Sequence, residues 1–296
     1  MGYPDESPDR IATRSMISAA EIQRTAGALR VEPTRVDLDY ALGWVLRGLI
    51  AQPEVTTRWI FKGGTCLRKC YFEGYRFSED LDFTLVQPVT LEEARTYVAA
   101  AARWAMDASG IDFLNRPLRA EAMPDGEDFG HVIRVYYRGS LPMADNPRSI
   151  QFHLSANEIV ILPKEERVLT HPYSDAEELG ALRLSCYSLA EMLAEKLRAV
   201  CGQRRHAIAR DLYDIHEALR RGVSLNDALA ILPTKCRFKD IALGGESLKK
   251  FETRIDGFRR DWQFNVIPLL AEPDRIPFED AWKTARMAVA AAAALG

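Results

Sequence analysis

The sequence predicts an α+β protein, with a mixed sheet flanked by helices in its N-terminal part and helices alone in its C-terminal part. Apolar and polar residues alternate over 131–138 and 149–154, which is the period of half-buried strands. Apolar residues at three- and four-residue spacing dominate after about residue 180. We therefore expect a sheet-containing domain over 17–180 and a helical domain over 181–296, with residues 1–16 as a flexible tail.

The chain begins with two predicted helices, at residues 18–29 and 34–51, and Thr34 is expected to cap the second of them. A short strand is predicted at 57–61. This strand leads into a Gly-Gly-Thr turn, and a further helix is predicted from Thr65 to Tyr71. Another helix begins at a Thr-Leu-Glu-Glu capping box and is expected to end at a glycine, Gly110.

Two acidic residues are spaced like same-face residues of a strand. Asp80 and Asp82 are separated by Leu81, and residues two apart project from the same side of a strand. Neighbouring carboxylates repel each other unless a cation lies between them. Hard divalent cations such as Mg²⁺ or Mn²⁺ prefer such oxygen ligands and are often held by carboxylates together with substrate phosphates. The spacing therefore predicts a metal-binding pair.

The turn that precedes this strand contains two adjacent glycines, Gly63 and Gly64. Glycines let backbone N–H groups approach a phosphate closely, and a helix that starts there points its positive end at an anion. A phosphate-binding turn beside a metal pair is a layout for phosphoryl transfer. Taken separately, the two glycines could be an ordinary turn and the two acids a solvated strand edge.

The two motifs together resemble those of the AbiEii/MenT family of toxin nucleotidyltransferases, within the DNA polymerase β-like superfamily. The matching residues are Phe-Lys-Gly-Gly-Thr-x-Leu-x-Lys from Phe61 and Arg-Phe-Ser-Glu-Asp-Leu-Asp-Phe from Arg76. The resemblance extends over about residues 61–215. It implies an NTP-dependent enzyme, the toxin of a toxin–antitoxin pair, with RNA, above all the tRNA 3′ end, as acceptor and a cognate antitoxin as partner.

In this interpretation several side chains of the two motifs contact the nucleotide, while Asp80 and Asp82 hold the metal. The expected nucleotide-binding residues are Lys62, Gly63, Gly64, Thr65, Ser78 and Lys196. Ser78 also carries a regulatory hypothesis, because a phosphate at this position would add negative charge beside the metal site and block triphosphate binding. The alternative is that its hydroxyl only positions triphosphate oxygens.

Polymerase β-like enzymes commonly carry a third carboxylate on a neighbouring strand, and this sequence departs from that pattern. The candidates are Gln151, His153 and Glu158, of which only Glu158 is acidic. A neutral histidine can bind a metal, although a lone histidine on a strand more often has a structural role. The sequence leaves the identity of any third ligand open.

A helix that starts with the Ser-Leu-Ala-Glu capping box at Ser188 places Lys196 in the middle of its apolar stripe. Such a lysine can extend its ammonium group to solvent, or it can meet nucleotide phosphates as a point charge. The resemblance supports the second interpretation, because the family's helical lysine corresponds to Lys196.

The next predicted helix, at 206–221, contains an Arg-Asp-x-Tyr-Asp motif that the resemblance also covers. Asp211 lies at the edge of its apolar stripe, and Asp214 is expected further round, in solvent or near the rim. Asp211 could hold Lys196 in an ion pair or accept the proton of an attacking hydroxyl as a catalytic residue. The sequence does not separate these two roles.

Composition narrows the class of protein. The net charge is −3, but Lys and Arg outnumber Asp and Glu between Ala181 and Leu270, which suits a phosphate-rich partner.

No apolar run is long enough to span a membrane, and the polar start is unlike a signal peptide, so a cytoplasmic location is expected. The five cysteines include no Cys-x-x-Cys pair, so reduced thiols and no zinc are expected.

Two functions from other classes stay open at this point. One is a nucleotidyltransferase that modifies protein side chains rather than RNA. The other is a catalytically inactive RNA-binding module, which the missing third carboxylate favours.

Overall fold

The computed structural model of the chain describes residues 16–123, 130–142, 148–176 and 182–296. The predicted tail lies outside these residues except for Met16. The helices within the described ranges are α1 (Ala19–Leu29), α2 (Pro33–Ile50), α3 (Pro53–Arg58), α4 (Gly63–Cys66), α5 (Leu91–Ser109), α6 (Leu189–Arg198), α7 (Ala209–Arg220), α8 (Leu225–Phe238), α9 (Gly245–Glu252), α10 (Ile255–Asn265) and α11 (Phe278–Ala293). Two of them, α4 and α6, continue into π-helical turns, Leu67–Tyr71 and Ala199–Gln203.

The strands form one mixed sheet, which together with the surrounding helices confirms the predicted α+β class. They are β1 (Trp59–Lys62), β2 (Asp80–Leu85), β3 (Arg119–Met123), β4 (Gly130–Tyr137), β5 (Arg148–Ser155), β6 (Glu165–Val168) and β7 (Arg183–Cys186). Their spatial order is β3-β4-β5-β2-β1-β7-β6. β2 is antiparallel to β1 and parallel to β5, so the two motif strands lie at the centre of the sheet.

One continuous apolar core joins the sheet to both groups of helices. α2 packs on α1 and α5, and α5 contacts β3 and β4. On the other side of the molecule α6 packs on α7 and α8, and α11 packs on α7 and α9. The strongly apolar centres of β1 and β2 are thus covered, which the interleaving of large apolar residues with the aspartates predicted.

Several helix ends follow from local sequence. Thr90 and Glu93 form the predicted capping box of α5, and Gly110 ends that helix with a left-handed φ of 77°. The prediction that Thr34 caps α2 was wrong. The helix starts one residue earlier, at Pro33, after Glu32, because the fixed φ of proline suits the first helical position.

The short strands were predicted less well. The strand expected at 57–61 begins at Trp59, and the residues before it form α3. β3 lies in a stretch that showed no period, because its residues are mostly exposed. β6 and β7 have four residues each, too few for alternation to be visible, and β7 continues the sheet beyond residue 180.

Among the described helices, none combines the length and the apolar character that crossing a membrane requires.

Candidate active site

A polar cleft of about 350 Å³ opens between the central strands and the helices α6 and α7. It collects most of the predicted site residues, although they come from segments far apart in the chain. Those on its wall are Lys62, Gly63, Gly64, Ser78, Asp80, Asp82, His153, Glu158, Lys196 and Asp211. Thr65 and Gln151 do not line it.

Asp80 and Asp82 are the first and third residues of β2, and both are half-buried in the cleft wall. Burial, followed by the negative charge of Asp82, raises the pKa of Asp80. Neither carboxylate forms an ion pair within 4.0 Å with any residue in the described part of the chain. By contrast, the other carboxylates of the wall, Glu158, Glu195 and Asp211, are all paired with cations.

The glycine turn lies against these carboxylates. Gly63 has a φ of +79°, and a Cβ atom added to it would lie 2.2 Å from Oδ2 of Asp82. A Cβ atom on Gly64 would lie 2.5 Å from Nη2 of Arg76. Only glycine allows this conformation and this closeness. The backbone N–H groups at the start of α4 therefore face the same space as the carboxylate pair.

Thr65 holds the turn and does not present its hydroxyl to the cleft. Its side chain is fully buried, and its hydroxyl donates a hydrogen bond of 2.5 Å to the backbone carbonyl of Asp80. The prediction that Thr65 binds the nucleotide stays a prediction, but its hydroxyl is already used in this hydrogen bond. Any phosphate contact of Thr65 would come from its backbone N–H at the start of α4.

Ser78 lies in the loop just before β2 rather than in the strand. Its side chain is largely buried, and its hydroxyl would lie 3.0 Å from a Cβ atom on Gly64. The hydroxyl thus borders the glycine turn. Because so little of Ser78 is exposed, a modifying enzyme would need the loop to move, and regulation by phosphorylation stays a hypothesis.

The strand positions beside the two aspartates, where a third carboxylate is expected, carry residues that are not acidic. In the parallel pairing of β2 with β5, Asp80 lies beside Gln151 and Asp82 lies beside His153. Glu158, the acidic candidate, instead accepts two hydrogen bonds from Arg198, at 2.9 and 2.6 Å. In the described chain, no group of three His, Cys, Asp or Glu donors within 4.8 Å of one another includes either aspartate.

Lys62 is buried at the end of β1, with its ammonium 3.4 Å from Glu195 and 4.0 Å from Glu158. Burial alone would lower the pKa of Lys62, but the charges of Glu195 and Glu158 outweigh it and raise the pKa. The lysine is therefore charged in the cleft wall, as a phosphate contact requires, although its charge is already balanced by these acids.

Lys196 lies on the cleft side of α6, where its ammonium contacts two carboxylates. It is 2.8 Å from Oδ1 of Asp211 and 2.9 Å from Oδ2 of Asp214. Burial alone would lower the pKa of Lys196, but the charges of Asp211 and Asp214 outweigh burial and raise the pKa above its ordinary value. The ammonium group therefore stays charged. Asp211 is thus seen in the ion-pairing arrangement, with its second oxygen 3.5 Å from Nε of Arg204.

The prediction that Asp214 lies in solvent or near the rim was wrong. Asp214 is buried and accepts hydrogen bonds from Nε and Nη2 of Arg76, at 2.7 and 2.8 Å, and from the Tyr75 hydroxyl at 2.7 Å. Burial would raise the pKa of Asp214, but Arg76 and Lys196 hold it well below its usual range. Helical periodicity misplaced it because its partners come from a loop more than 130 residues earlier in the chain.

Arg76 is the site residue that sequence reasoning missed. It is buried, lies over Gly64 and is fixed by both oxygens of Asp214. The available signal was that Arg76 opens one motif of the resemblance and Asp214 ends another. Only the tertiary structure shows that the two motifs meet through this pair.

The donor set suits a hard divalent cation. Both aspartates offer oxygen ligands, and their like charges lie side by side. Burial and the charge of Asp82 raise the pKa of Asp80, and a bound cation would stabilise its ionised form. The glycine turn leaves room beside Asp82 that any side chain would fill. Asp80 and Asp82 could therefore hold Mg²⁺ or Mn²⁺ together with a phosphate.

Comparisons with known proteins agree with this geometry. A sequence model of the family described as "Nucleotidyl transferase AbiEii toxin, Type IV TA system" matches residues 44–284. The fold is similar to that of MenT4, a nucleotidyltransferase toxin from Mycobacterium tuberculosis H37Rv, with a TM-score of 0.55, 21% identity and coverage of 94% of this chain and 99% of that one.

The fold is also similar to that of JHP933 from Helicobacter pylori, with a TM-score of 0.54 and 17% identity. This likeness covers 90% of the present chain and 94% of JHP933. No curated protein sequence matches the chain. At these identities the two solved structures show the shared fold, and the family match shows the shared ancestry.

Proposed function

The chain belongs to the AbiEii family of nucleotidyltransferase toxins of toxin–antitoxin systems, and from this we propose that it transfers a nucleoside monophosphate from an NTP to RNA. The proposed acceptor is the 3′ end of tRNA, and the consequence is a block of translation. A cognate antitoxin would be the partner that relieves this block of translation.

The observation that supports this proposal best is the pairing pattern of the cleft. Asp80 and Asp82 are the carboxylates of the wall that form no ion pair within 4.0 Å in the described chain, and they face the N-terminal N–H groups of α4. Holding two adjacent carboxylates half-buried without a salt bridge is costly. A bound cation together with a phosphate would remove this cost, because the cation would balance the charges of the two carboxylates.

In the proposed mechanism Asp80 and Asp82 would hold Mg²⁺ or Mn²⁺, and the ion would supply positive charge to balance that of the triphosphate. The N–H groups of Gly63 and Gly64 bind phosphate oxygens and orient the nucleotide. Lys196, kept charged and fixed in place by Asp211 and Asp214, stabilises the negative charge that develops on the phosphates. The oxygen of the acceptor hydroxyl bonds to the α-phosphorus as the bond from that phosphorus to pyrophosphate breaks, and the hydroxyl proton passes to water.

Asp211 has a positioning role in this scheme. Its Oδ1 accepts from Lys196 at 2.8 Å, and its other oxygen lies near Arg204. Oδ1 is thus engaged by Lys196, and the other oxygen is buried rather than open to the cleft. This geometry favours the ion-pairing role over that of general base.

The choice of RNA as acceptor is supported by the family and by basic residues on the cleft wall. Arg204 and Arg210 lie on the side formed by α7 and the preceding turn. Basic side chains there would contact the backbone phosphates of a nucleic acid whose end enters the cleft. The tRNA 3′ end is single-stranded and has free hydroxyls, so it can present an acceptor hydroxyl to the cleft without any base pair being opened.

The test is incubation of the purified protein with each labelled NTP and total RNA. Wild type is expected to label tRNA, and Asp80→Asn and Asp82→Asn are expected to abolish labelling. Asp107→Asn, which changes an exposed residue of α5 away from the cleft, is the control and should label normally. Periodate oxidation of the tRNA 3′ hydroxyls should prevent the reaction, and labelling that survives it would refute the proposed acceptor position.

A second function is favoured by the absence of an acidic residue at the two strand positions paired with Asp80 and Asp82. With Gln151 and His153 at the third position, the protein could bind RNA without catalysis. Calorimetry separates the two functions, since an inactive module should bind RNA and ignore Mg²⁺ and nucleotide. If label appears in added protein instead of RNA, the acceptor is a protein side chain.

A further inference from the structure

Three of the five cysteines meet behind the glycine turn, although they are separated by up to 120 positions in the sequence. Cys66 is the last residue of α4, Cys70 lies in the π-helical turn that follows, and Cys186 ends β7. All three are buried, and their Sγ atoms lie within 4.8 Å of one another. They are the one group of three potential metal ligands at this spacing among the described residues.

The arrangement has the size of a metal site. Three sulfurs bound to one ion at about 2.3 Å lie roughly 4 Å apart, so side-chain movements of a few tenths of an ångström would close the triangle. Thiolates select soft ions such as Zn²⁺, Cu⁺ or their analogue Cd²⁺ over Mg²⁺. We propose that Cys66, Cys70 and Cys186 form a three-thiolate site for a soft metal ion, separate from the aspartate pair.

The surroundings can balance the charge of such a site. Lys69 and Arg167 lie close enough to act on Cys70, and Nε of Arg167 donates to its backbone carbonyl. Binding releases the thiol protons to solvent, and the ion takes their place.

The position gives the site a structural consequence. Cys66 and Cys70 belong to the helical segment that begins at Gly63, whereas Cys186 lies on a strand beside β1, in register with Phe61. An ion bound by all three would fasten the segment behind the phosphate-binding turn to the central sheet. Because an ion that binds only the folded state stabilises it, the unfolding temperature should rise with metal.

The experiment is titration of the reduced full-length protein with Cd²⁺, followed by the ultraviolet thiolate-to-cadmium charge-transfer absorption. Wild type is expected to bind one Cd²⁺ per chain with this absorption and to unfold at a higher temperature. Cys70→Ala and Cys186→Ala should lose the absorption. Cys201→Ala and Cys236→Ala are matched controls, because both remove a buried cysteine outside the cluster, and both should retain it.

Slow alkylation of the folded wild type, with and without Cd²⁺, gives a readout that does not need the variants to fold. Under native conditions Cd²⁺ should slow the alkylation of Cys66, Cys70 and Cys186 more than that of Cys201 and Cys236, which are also buried. The proposal is overturned if folded wild type shows no charge-transfer absorption. It is also overturned if the control variants lose that absorption equally, or if the purified protein contains a disulfide within the cluster.

Discussion

Two buried ion clusters in this protein have almost the same composition and different surroundings. In the Asp214 cluster, Asp214 contacts Arg76, Lys196 and the Tyr75 hydroxyl at 2.7 to 2.9 Å. In the Asp39 cluster, Asp39 of α2 contacts Arg68, Lys69 and the Tyr173 hydroxyl, each at 2.7 Å. Each cluster therefore has one carboxylate, one arginine, one lysine and one tyrosine.

The clusters differ in where the lysine points. The side chain of Lys196 is 18% exposed and lies on the wall of the cleft, whereas that of Lys69 is 2% exposed and does not line this cleft. Lys196 also has a second carboxylate partner, Asp211. Burial and ion pairing are therefore shared by a structural cluster and a candidate catalytic one, whereas access to the cleft and the second carboxylate partner are found only at Lys196 of these two lysines.

The largest effect is expected on stability, from Lys69→Met. Removing the lysine leaves Asp39 buried with one cation fewer, and breaking such a pair costs about 3–5 kcal/mol. Urea unfolding should show this decrease in the free energy of unfolding, while the folded fraction keeps its transferase activity per molecule. A large loss of activity at unchanged stability would show that the Asp39 cluster takes part in catalysis.

The second effect is on catalysis, from Lys196→Met. Loss of a positioned charge that stabilises the transition state typically lowers kcat by about 10²–10³-fold. Stability should fall less than in Lys69→Met, because Asp214 keeps Arg76 and Lys196 is partly exposed. Single-turnover rates with saturating NTP measure the effect, and normal rates would remove Lys196 from the mechanism.

A smaller effect on catalysis is expected for Asp214→Asn. The amide keeps the shape of the carboxylate but loses its charge, so Lys196 and Arg76 lose part of their fixation while Asp211 still holds Lys196. We expect kcat to fall about tenfold with KM nearly unchanged, as for loss of one charge-assisted hydrogen bond. The matched change Asp39→Asn should leave kcat unaltered, and equal losses in both variants would contradict the distinction.

The smallest effect, a response to acid, should be the same in both clusters. Burial raises the pKa of Asp39, but Arg68 and Lys69 lower it below the ordinary value of 3.8, as Arg76 and Lys196 do for Asp214. A carboxylate whose pKa is lowered by folding stabilises the protein above its unfolded pKa and loses this contribution as pH falls through its folded pKa.

Unfolding measured from pH 5 downwards should therefore show stability falling below about pH 4. Asp39→Asn and Asp214→Asn should each make that fall less steep, and to a similar extent. If only one variant flattened the profile, the two carboxylates would differ in their ionisation, and the proposed equivalence of the clusters would be wrong.

Local sequence determined much of this protein. Alternation placed Asp80 and Asp82 on one face of β2, and the apolar stripe of α6 turned Lys196 towards the sheet rather than solvent. The capping residues Ser18 and Thr90 set the starts of their helices. These features are readable because periodicity and capping depend on residues within about one turn or one strand.

The tertiary structure alone decided which residues meet. Asp214 was expected near solvent and is buried on Arg76, Thr65 was expected at a phosphate and is bonded to a carbonyl, and three scattered cysteines form one cluster. Each of these contacts joins separate segments, and pairing between segments depends on how the sheet and helices pack. Side-chain periodicity within a segment holds no information about which partner packing will supply.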